Sequence, residues 1–301
     1  MAYRDLRAYL AALEQNGKLK KVKKGVDKDW EIAAVCCQLF YKLSDENRPA
    51  VMFENVKGFN LPVVAGALGA SREIYAIGLE TDSVQGINRK WDRALEKPIP
   101  PRVIKDGPCK ENIWTGEKVD ILKLPVPVWT VGEDPGPFFT SPYVITKDPE
   151  TGVRNIGTYR MQVKDRNKTG FLIGKVQDAA WHVKKNDDQN KPTPVAVVIG
   201  AEPSIGYVSV SKISETLDEF AIAGGLRGEP VDLVPCETVP LEVPATAEIV
   251  LEGELPPMKD AEMPREGPFG EWPGYFTDAN LGETPVMIVK RVYYRNDPII
   301  L

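Results

Sequence analysis

Arg154-Asn155-Ile156-Gly157-Thr158-Tyr159-Arg160-Met161-Gln162 is the stretch on which the reading of this chain turns. Its alternation predicts one strand over 155–163, and on a strand residues of equal parity share a face. Ile156, Thr158, Arg160 and Gln162 then point one way, and Asn155, Gly157 and Tyr159 the other. An arginine aimed into the mouth of a barrel must meet an acid or an anion, because burying it alone is prohibitive.

The acid pair with loop chemistry suited to that arginine lies in Glu266-Gly-Pro-Phe-Gly-Glu-Trp-Pro-Gly-Tyr275. Three glycines and two prolines there exclude helix and strand and predict a fixed, irregular loop carrying Glu266 and Glu271. Phe269, Trp272 and Tyr275 offer the acids a dry wall, which raises a carboxyl pKa toward a useful range. Taken alone, the loop reads equally well as a surface turn with two solvated glutamates.

Further strands are expected at 143–147, 170–174, 194–200, 247–252 and 286–294, as in the walls of an antiparallel barrel or sandwich. One helix, 215–223, interrupts them, and 181–191 reads as a helix end plus loop. Upstream, Tyr3, Leu6, Leu10 and Leu13 predict a helix over 3–16 that stops at Gly17. The lysine-rich 18–24 fits a short edge strand. A second helix starts at Trp30, two strands follow at 50–55 and 61–67, and a helical stretch covers 72–79. Gly66-Ala-Leu-Gly-Ala70 matches neither the dinucleotide fingerprint nor a Walker A loop, and reads as packing. Proline-rich runs at 97–101 and 124–127 bracket a boundary, which places a domain junction near residue 115: an α/β domain at 1–115 and a mostly antiparallel domain at 116–301.

The 301 residues, 43% apolar and 27% charged, describe a globular chain, and a net charge of −5 gives no electrostatic reason to bind nucleic acid or an anionic membrane. No apolar run approaches a membrane span, and the N-terminus lacks a signal peptide's apolar core. Cys36, Cys37, Cys109 and Cys236 show no metal-ligand spacing; Cys36 and Cys37 read as core-side hydrophobes, consistent with a reducing cytoplasm.

Asn155–Arg160, Thr216-Leu-Asp-Glu219-Phe-Ala-Ile-Ala-Gly224 and Glu266–Glu271 together resemble the UbiD family of (de)carboxylases. So do Val243–Gly253 and Met1–Leu10, and the resemblance runs the length of the chain in order. It implies a split β-barrel of flavin-reductase type that binds prenylated FMN supplied by a flavin prenyltransferase. It implies decarboxylation of an aromatic or α,β-unsaturated (acrylic) acid, with the reverse reaction open. By the same resemblance Glu271 matches the acid/base, Arg160 the carboxylate-binding arginine, and Glu266 the glutamate that orients it. Asn155 and Glu219 match two ligands of a divalent metal, manganese or magnesium, at the flavin phosphate; a potassium ion belongs to the same expectation. Gly157, Thr158, Tyr159 and Arg160, with Ser209, Val210, Ser211 and Lys212, fall where the family wraps the cofactor.

Two departures stand out. The family's third metal ligand is usually histidine, but here the position falls on Gln177 or, with a one-residue slip, Asp178. The single histidine, His182, lies too far along and reads as a surface or packing residue. Family members also continue past Leu301 into a further α/β domain, so the expectation is a homo-oligomer or a partner subunit that supplies that domain. The rival reading is a non-catalytic or assembly subunit of a multi-subunit carboxylase. An ordinary flavin reductase is disfavoured by the lack of a nicotinamide fingerprint.

Overall fold

The computed structural model describes residues 2–130, 132–174, 177–271, 275–277 and 283–301. Asp5 starts the first helix, α1 (Leu6–Gln15), by accepting the Ala8 N–H at 2.8 Å, and Leu6, Tyr9, Leu10 and Leu13 form its buried stripe. Strand β1 (Leu19–Val22) runs parallel to β2 (Ala50–Phe53), with α2 (Glu31–Lys42) as the crossover that parallel pairing requires. β3 (Val63–Ala65) adds antiparallel to β2 and leaves lysine-bearing β1 on the edge, as the sequence leads one to expect. Cys36 is buried on α2, but Cys37 is exposed, since consecutive helical residues face different directions. α3 (Arg72–Gly78), α4 (Gly86–Glu96) and β4 (Arg102–Val103) follow.

The second part is built on strands β5 (Asn112–Thr115), β6 (Phe138–Phe139), β7 (Tyr143–Lys147), β8 (Arg154–Thr158), β9 (Met161–Asp165) and β10 (Lys168–Gly170). Helix α5 (Asp178–Asp188), β11 (Thr193–Ile199), α6 (Pro203–Val208), α7 (Glu219–Arg227), β12 (Asp232–Pro235), β13 (Glu242–Pro244), β14 (Ile249–Leu255) and β15 (Val286–Tyr294) complete it. Among the described residues nine strands form one antiparallel sheet in the order β6-β9-β10-β15-β14-β11-β7-β8, with β5 also on β15. A small third sheet runs β13-β12-β4.

The expected single strand over 155–163 is two strands. β8 pairs with β7, whereas β9 pairs with β6 and β10 near the other end of the sheet. Only Tyr159 and Arg160 separate them, and the three Cα steps from Thr158 to Met161 span at most about 11 Å. The sheet must therefore curl until its ends face each other, as a half-barrel split at Tyr159-Arg160. Side-chain parity across that break no longer holds.

Both sheet faces are buried: Val144, Val197 and Leu251 fill the concave core, while Tyr143, Ile145, Val198 and Val250 pack with Ile205 of α6 and Phe220 and Ile222 of α7. α7 starts later than expected because the Asp218 carboxylate caps it, accepting the Phe220 N–H at 2.9 Å. The stretch read as a helix end plus loop is the eleven-residue α5, and β10 ends at Gly170 instead of beginning there. The first and last segments are tied together. Arg7 makes a bidentate pair with fully buried Glu248 (2.9 and 2.8 Å), and Arg295 reaches both Glu248 and Asp5 at 3.1 Å. Ile300 pairs with β3 through the Val64 N–H at 2.7 Å. No helix among the described residues is long and apolar enough to cross a membrane.

Candidate active site

Arg160 sits at the split, and both expected acids hold it. Glu266 takes Nε at 3.1 Å and Nη2 at 2.7 Å, a bidentate fork, and Glu271 takes Nη1 at 2.6 Å. Thr277 Oγ1 lies 3.5 Å from Nη2. Side-chain exposure is 11% for Arg160, 2% for Glu266 and 29% for Glu271. Glu266 is thus the buried anchor, and Glu271 is the acid with a path to solvent. Phe269 lies beneath the guanidinium, its ring centroid 4.6 Å from Cζ. Of the other expected wall residues, Tyr275 is mostly exposed and Trp272 lies outside the described residues.

The described parts of the acid loop, 266–271 and 275–277, are irregular, as expected, and are pinned to each other. The Glu271 N–H donates to Tyr275 O at 2.8 Å, the Thr277 N–H donates to Phe269 O at 2.9 Å, and Gly270 and Phe276 form an isolated bridge. Gly267 and Gly270 are dictated by a neighbouring turn. A Cβ at Gly270 would lie 2.1 Å from Thr130 Oγ1. Gly267 has φ of +88°, and a Cβ there would lie 2.7 Å from Pro135 Cγ.

A second acidic cluster lies on the β8 side of the split. Asn155 (buried on β8) donates to the Tyr159 hydroxyl at 3.2 Å. Glu219, the first residue of α7, is 4% exposed, and its Oε2 is buried with no hydrogen-bond partner. Burial pushes its pKa up to about 8, helped by Asp218 and Asp178, while the N–H groups of Glu219 and Ile156 pull the other way. Gln177 is turned aside: its Oε1 accepts the Gly174 N–H at 2.5 Å. Asp178, the next residue, is the acid of that pair whose charge reaches Glu219 and Tyr159. His182 takes no part; it is buried on α5 with Nδ1 2.9 Å from Thr146 Oγ1, and burial lowers its pKa. No group of three His, Cys, Asp or Glu able to hold a metal occurs among the described residues.

The remaining expected cofactor residues converge on two touching segments. The Thr158 N–H donates to Ser209 O at 2.8 Å, and the Thr158 and Ser209 hydroxyls are also 2.8 Å apart. Ser211 Oγ is used by Tyr207 O at 2.7 Å, whereas Lys212 and Val210 are exposed. A largely apolar cavity of about 600 Å³ opens beside Glu271, walled by Phe40, Val126, Trp129, Phe138 and Phe269. Sequence reasoning missed Asp134, which is buried and whose Oδ1 accepts the Gly270 N–H at 3.1 Å.

Residues 102–301 match the 3-octaprenyl-4-hydroxybenzoate carboxy-lyase Rift-related domain, and residues 10–91 match the N-terminal domain of the same carboxy-lyase. The phenolic acid decarboxylase of Sedimentibacter hydroxybenzoicus is 35% identical over 99% of this chain and 62% of its own length. An evolved dimeric form of the UbiD-class enzyme HmfF from Pelotomaculum thermopropionicum, in complex with prFMN, superposes with a TM-score of 0.90 at 38% identity, covering 99% of this chain and 66% of that one. The vanillic acid decarboxylase of S. hydroxybenzoicus in its closed form gives a TM-score of 0.92 at 34% identity, covering all of this chain and 64% of that one. The chain thus spans somewhat under two thirds of the length of these relatives. On the domain matches and the superpositions together, the chain belongs to the UbiD family.

Proposed function

We propose that this chain forms the N-terminal and flavin-binding portions of a prenylated-FMN-dependent carboxy-lyase that decarboxylates an aromatic or α,β-unsaturated acid, with the reverse reaction open. The observation that carries the reading is the buried grip of Glu266 and Glu271 on Arg160 beside an apolar cavity. We read the split half-barrel as flavin-reductase-like and keep the division into 1–115 and 116–301, with β5 (Asn112–Thr115) crossing that boundary to pair with β15. A partner subunit or self-association, a cytoplasmic setting and a flavin prenyltransferase as supplier belong to the same proposal.

The residues present fit such a cofactor. Thr158, Ser209 and exposed Lys212 offer hydroxyl and ammonium donors suited to a phosphate, flanked by Gly157, Tyr159, Val210 and Ser211. The unpartnered, buried oxygen of Glu219 is the feature that asks for a cation. Asn155, Glu219 and either Gln177 or Asp178 would hold manganese or magnesium, for which oxygen donors are suited, and binding would displace the proton that burial retains on Glu219. A potassium ion is part of the reading without assigned ligands.

Prenylated FMN, when bound, supplies the electron sink for the pair released as the carbon–carboxylate bond breaks. Arg160, fixed by Glu266, pairs with the substrate carboxylate, for which a planar guanidinium is better shaped than an ammonium. The carboxylate leaves as carbon dioxide, and the carbon that bore it takes a proton from the Glu271 carboxyl. Glu271, partly exposed, regains that proton from solvent, so the sum is a carboxylate plus one proton giving the decarboxylated product and carbon dioxide.

The test is to produce the chain with a prenylated-flavin supply, record its visible spectrum, and assay aryl and acrylic acids for carbon dioxide release, alone and with partner chains. Glu271→Gln should lower turnover by about 100-fold or more, the scale of general acid catalysis, with flavin uptake retained. Unchanged turnover would remove the assigned proton donor. A chain that takes up no flavin under any condition, yet is needed for a partner's activity, would establish the assembly-subunit reading instead.

A further inference from the structure

Asp134 lies in Thr130-Val131-Gly132-Glu133-Asp134-Pro135, a stretch with the composition of an ordinary solvated turn. The turn is closed by the Glu133 and Asp134 N–H groups, which donate to Thr130 O at 3.2 and 2.9 Å. Glu133 is exposed, as a turn glutamate should be, but Asp134 is only 8% exposed. A carboxylate taken out of water costs several kcal/mol, on the order of the effective penalty per buried ion, unless its oxygens are satisfied.

Here three backbone donors satisfy it. Oδ2 accepts the N–H groups of Trp129 (3.1 Å) and Thr130 (2.8 Å), which fixes the turn itself. Oδ1 accepts the N–H of Gly270 at 3.1 Å, across a sequence separation of 136 residues. That last bond is to the residue immediately before Glu271. The fit around it is tight: Thr130 Oγ1 occupies the place a Gly270 Cβ would need, Pro135 does the same at Gly267, and the Phe138 and Phe269 rings meet at 4.9 Å. Trp129, Thr130 and residues 132–138 thus form a mould for the acid loop, and Asp134 is its hydrogen-bonded pin. Trp129 and Thr130 also line the cavity that Glu271 borders, so one carboxylate sets the acid and part of the cavity wall together.

We propose that Asp134 is a positioning residue for Glu271, holding the Gly270–Glu271 backbone so that the Glu271 carboxyl faces the cavity while bonded to Arg160. The proposal rests on the reading of Glu271 as proton donor, but its geometric half can be tested without the reaction. In the cofactor-free chain, Asp134→Ala should speed hydrogen–deuterium exchange in a peptide covering 266–271 by at least about tenfold, as expected when a local opening loses a bond worth about 1.4 kcal/mol. Asp134→Asn, which keeps one acceptor oxygen, should fall between the two. In the flavin-loaded protein, Asp134→Ala should lower kcat by about 10- to 100-fold, the scale of an ångström-size misplacement, with the KM for the acid substrate within about twofold of wild type.

Exchange and kcat both at wild-type levels in Asp134→Ala would overturn the proposal, as would a rise in KM with kcat unchanged. If Asp134→Ala does not fold, Asp134→Asn alone decides on the same two readouts. If exchange accelerates while Glu271→Gln retains full turnover, the positioning of the loop stands and the assignment of Glu271 as proton donor is what fails.

Discussion

The two acidic clusters on either side of Tyr159-Arg160 are in opposite electrostatic states. On one side a single cation is shared by Glu266 and Glu271, and its charge-assisted bonds are made within the chain. On the other, Glu219 keeps an unpartnered oxygen and a pKa raised by burial and by Asp218 and Asp178. The first cluster is preorganised by the polypeptide alone. In the second, a buried carboxyl is opposed by burial and by the neighbouring acids Asp218 and Asp178, and the chain itself leaves one of its oxygens without a hydrogen-bond partner. One short segment of chain serves both, since Asn155 is on β8 and Arg160 on the link that follows.

Removing one charge from each cluster should therefore have unequal effects. Arg160→Met strands Glu266 in the interior, and losing one partner of a buried pair costs about 3–5 kcal/mol. Glu219→Gln relieves a carboxyl that burial and two neighbouring acids already oppose, so the metal-free protein should lose little or even gain stability. Urea unfolding of the two variants, compared with wild type without added metal, checks the contrast; equal losses would break it.

The next effect is that of the divalent cation proposed for the Glu219 side. Manganese at a hundredfold excess over its dissociation constant should stabilise the wild-type chain by about 2.7 kcal/mol, the mass-action value for a ligand that binds only the folded state. Glu219→Gln should abolish that gain, and His182→Gln should leave it intact because His182 bonds Thr146 and not the cluster. Thermal unfolding with and without manganese reads all three; equal stabilisation of Glu219→Gln would remove the metal assignment.

The smallest effect separates His182 from both clusters through pH. Burial holds its folded pKa below the ordinary value of 6.5, so between the two values the unfolded chain binds more protons than the native one. Its contribution to stability is then full above about 6.5 and is lost as pH falls below it. The difference between wild type and His182→Gln, measured by urea unfolding from pH 7.5 down to 5, should shrink on acidification. A difference independent of pH would mean that the ring is solvated.

The legible parts of this chain are those where a local rule and the global fold agree. β7 and β15 lie where alternation places them, and α1 buries the expected Leu6, Leu10 and Leu13, because periodicity reports which face is buried whatever covers it; Tyr3, expected in that stripe, precedes the helix, which Asp5 starts, and Tyr9 takes its place. The Arg160 grip was legible for an energetic reason: an arginine aimed into a barrel needs an acid, and the glycine- and proline-rich loop carries two. What the sequence determined, then, is which residues are buried in regular elements and which charges cannot stand alone. The break at Tyr159-Arg160 was invisible because alternation runs straight through it; only the choice of partners, β7 before and β6 with β10 after, divides the strand. Asp134 was equally hidden, since Glu-Asp-Pro-Gly reads as a solvated turn until a loop from 136 residues away closes over it. Tertiary structure decided those points because strand pairing and the desolvation of a turn carboxylate depend on neighbours distant in the chain, and no local pattern carries that information.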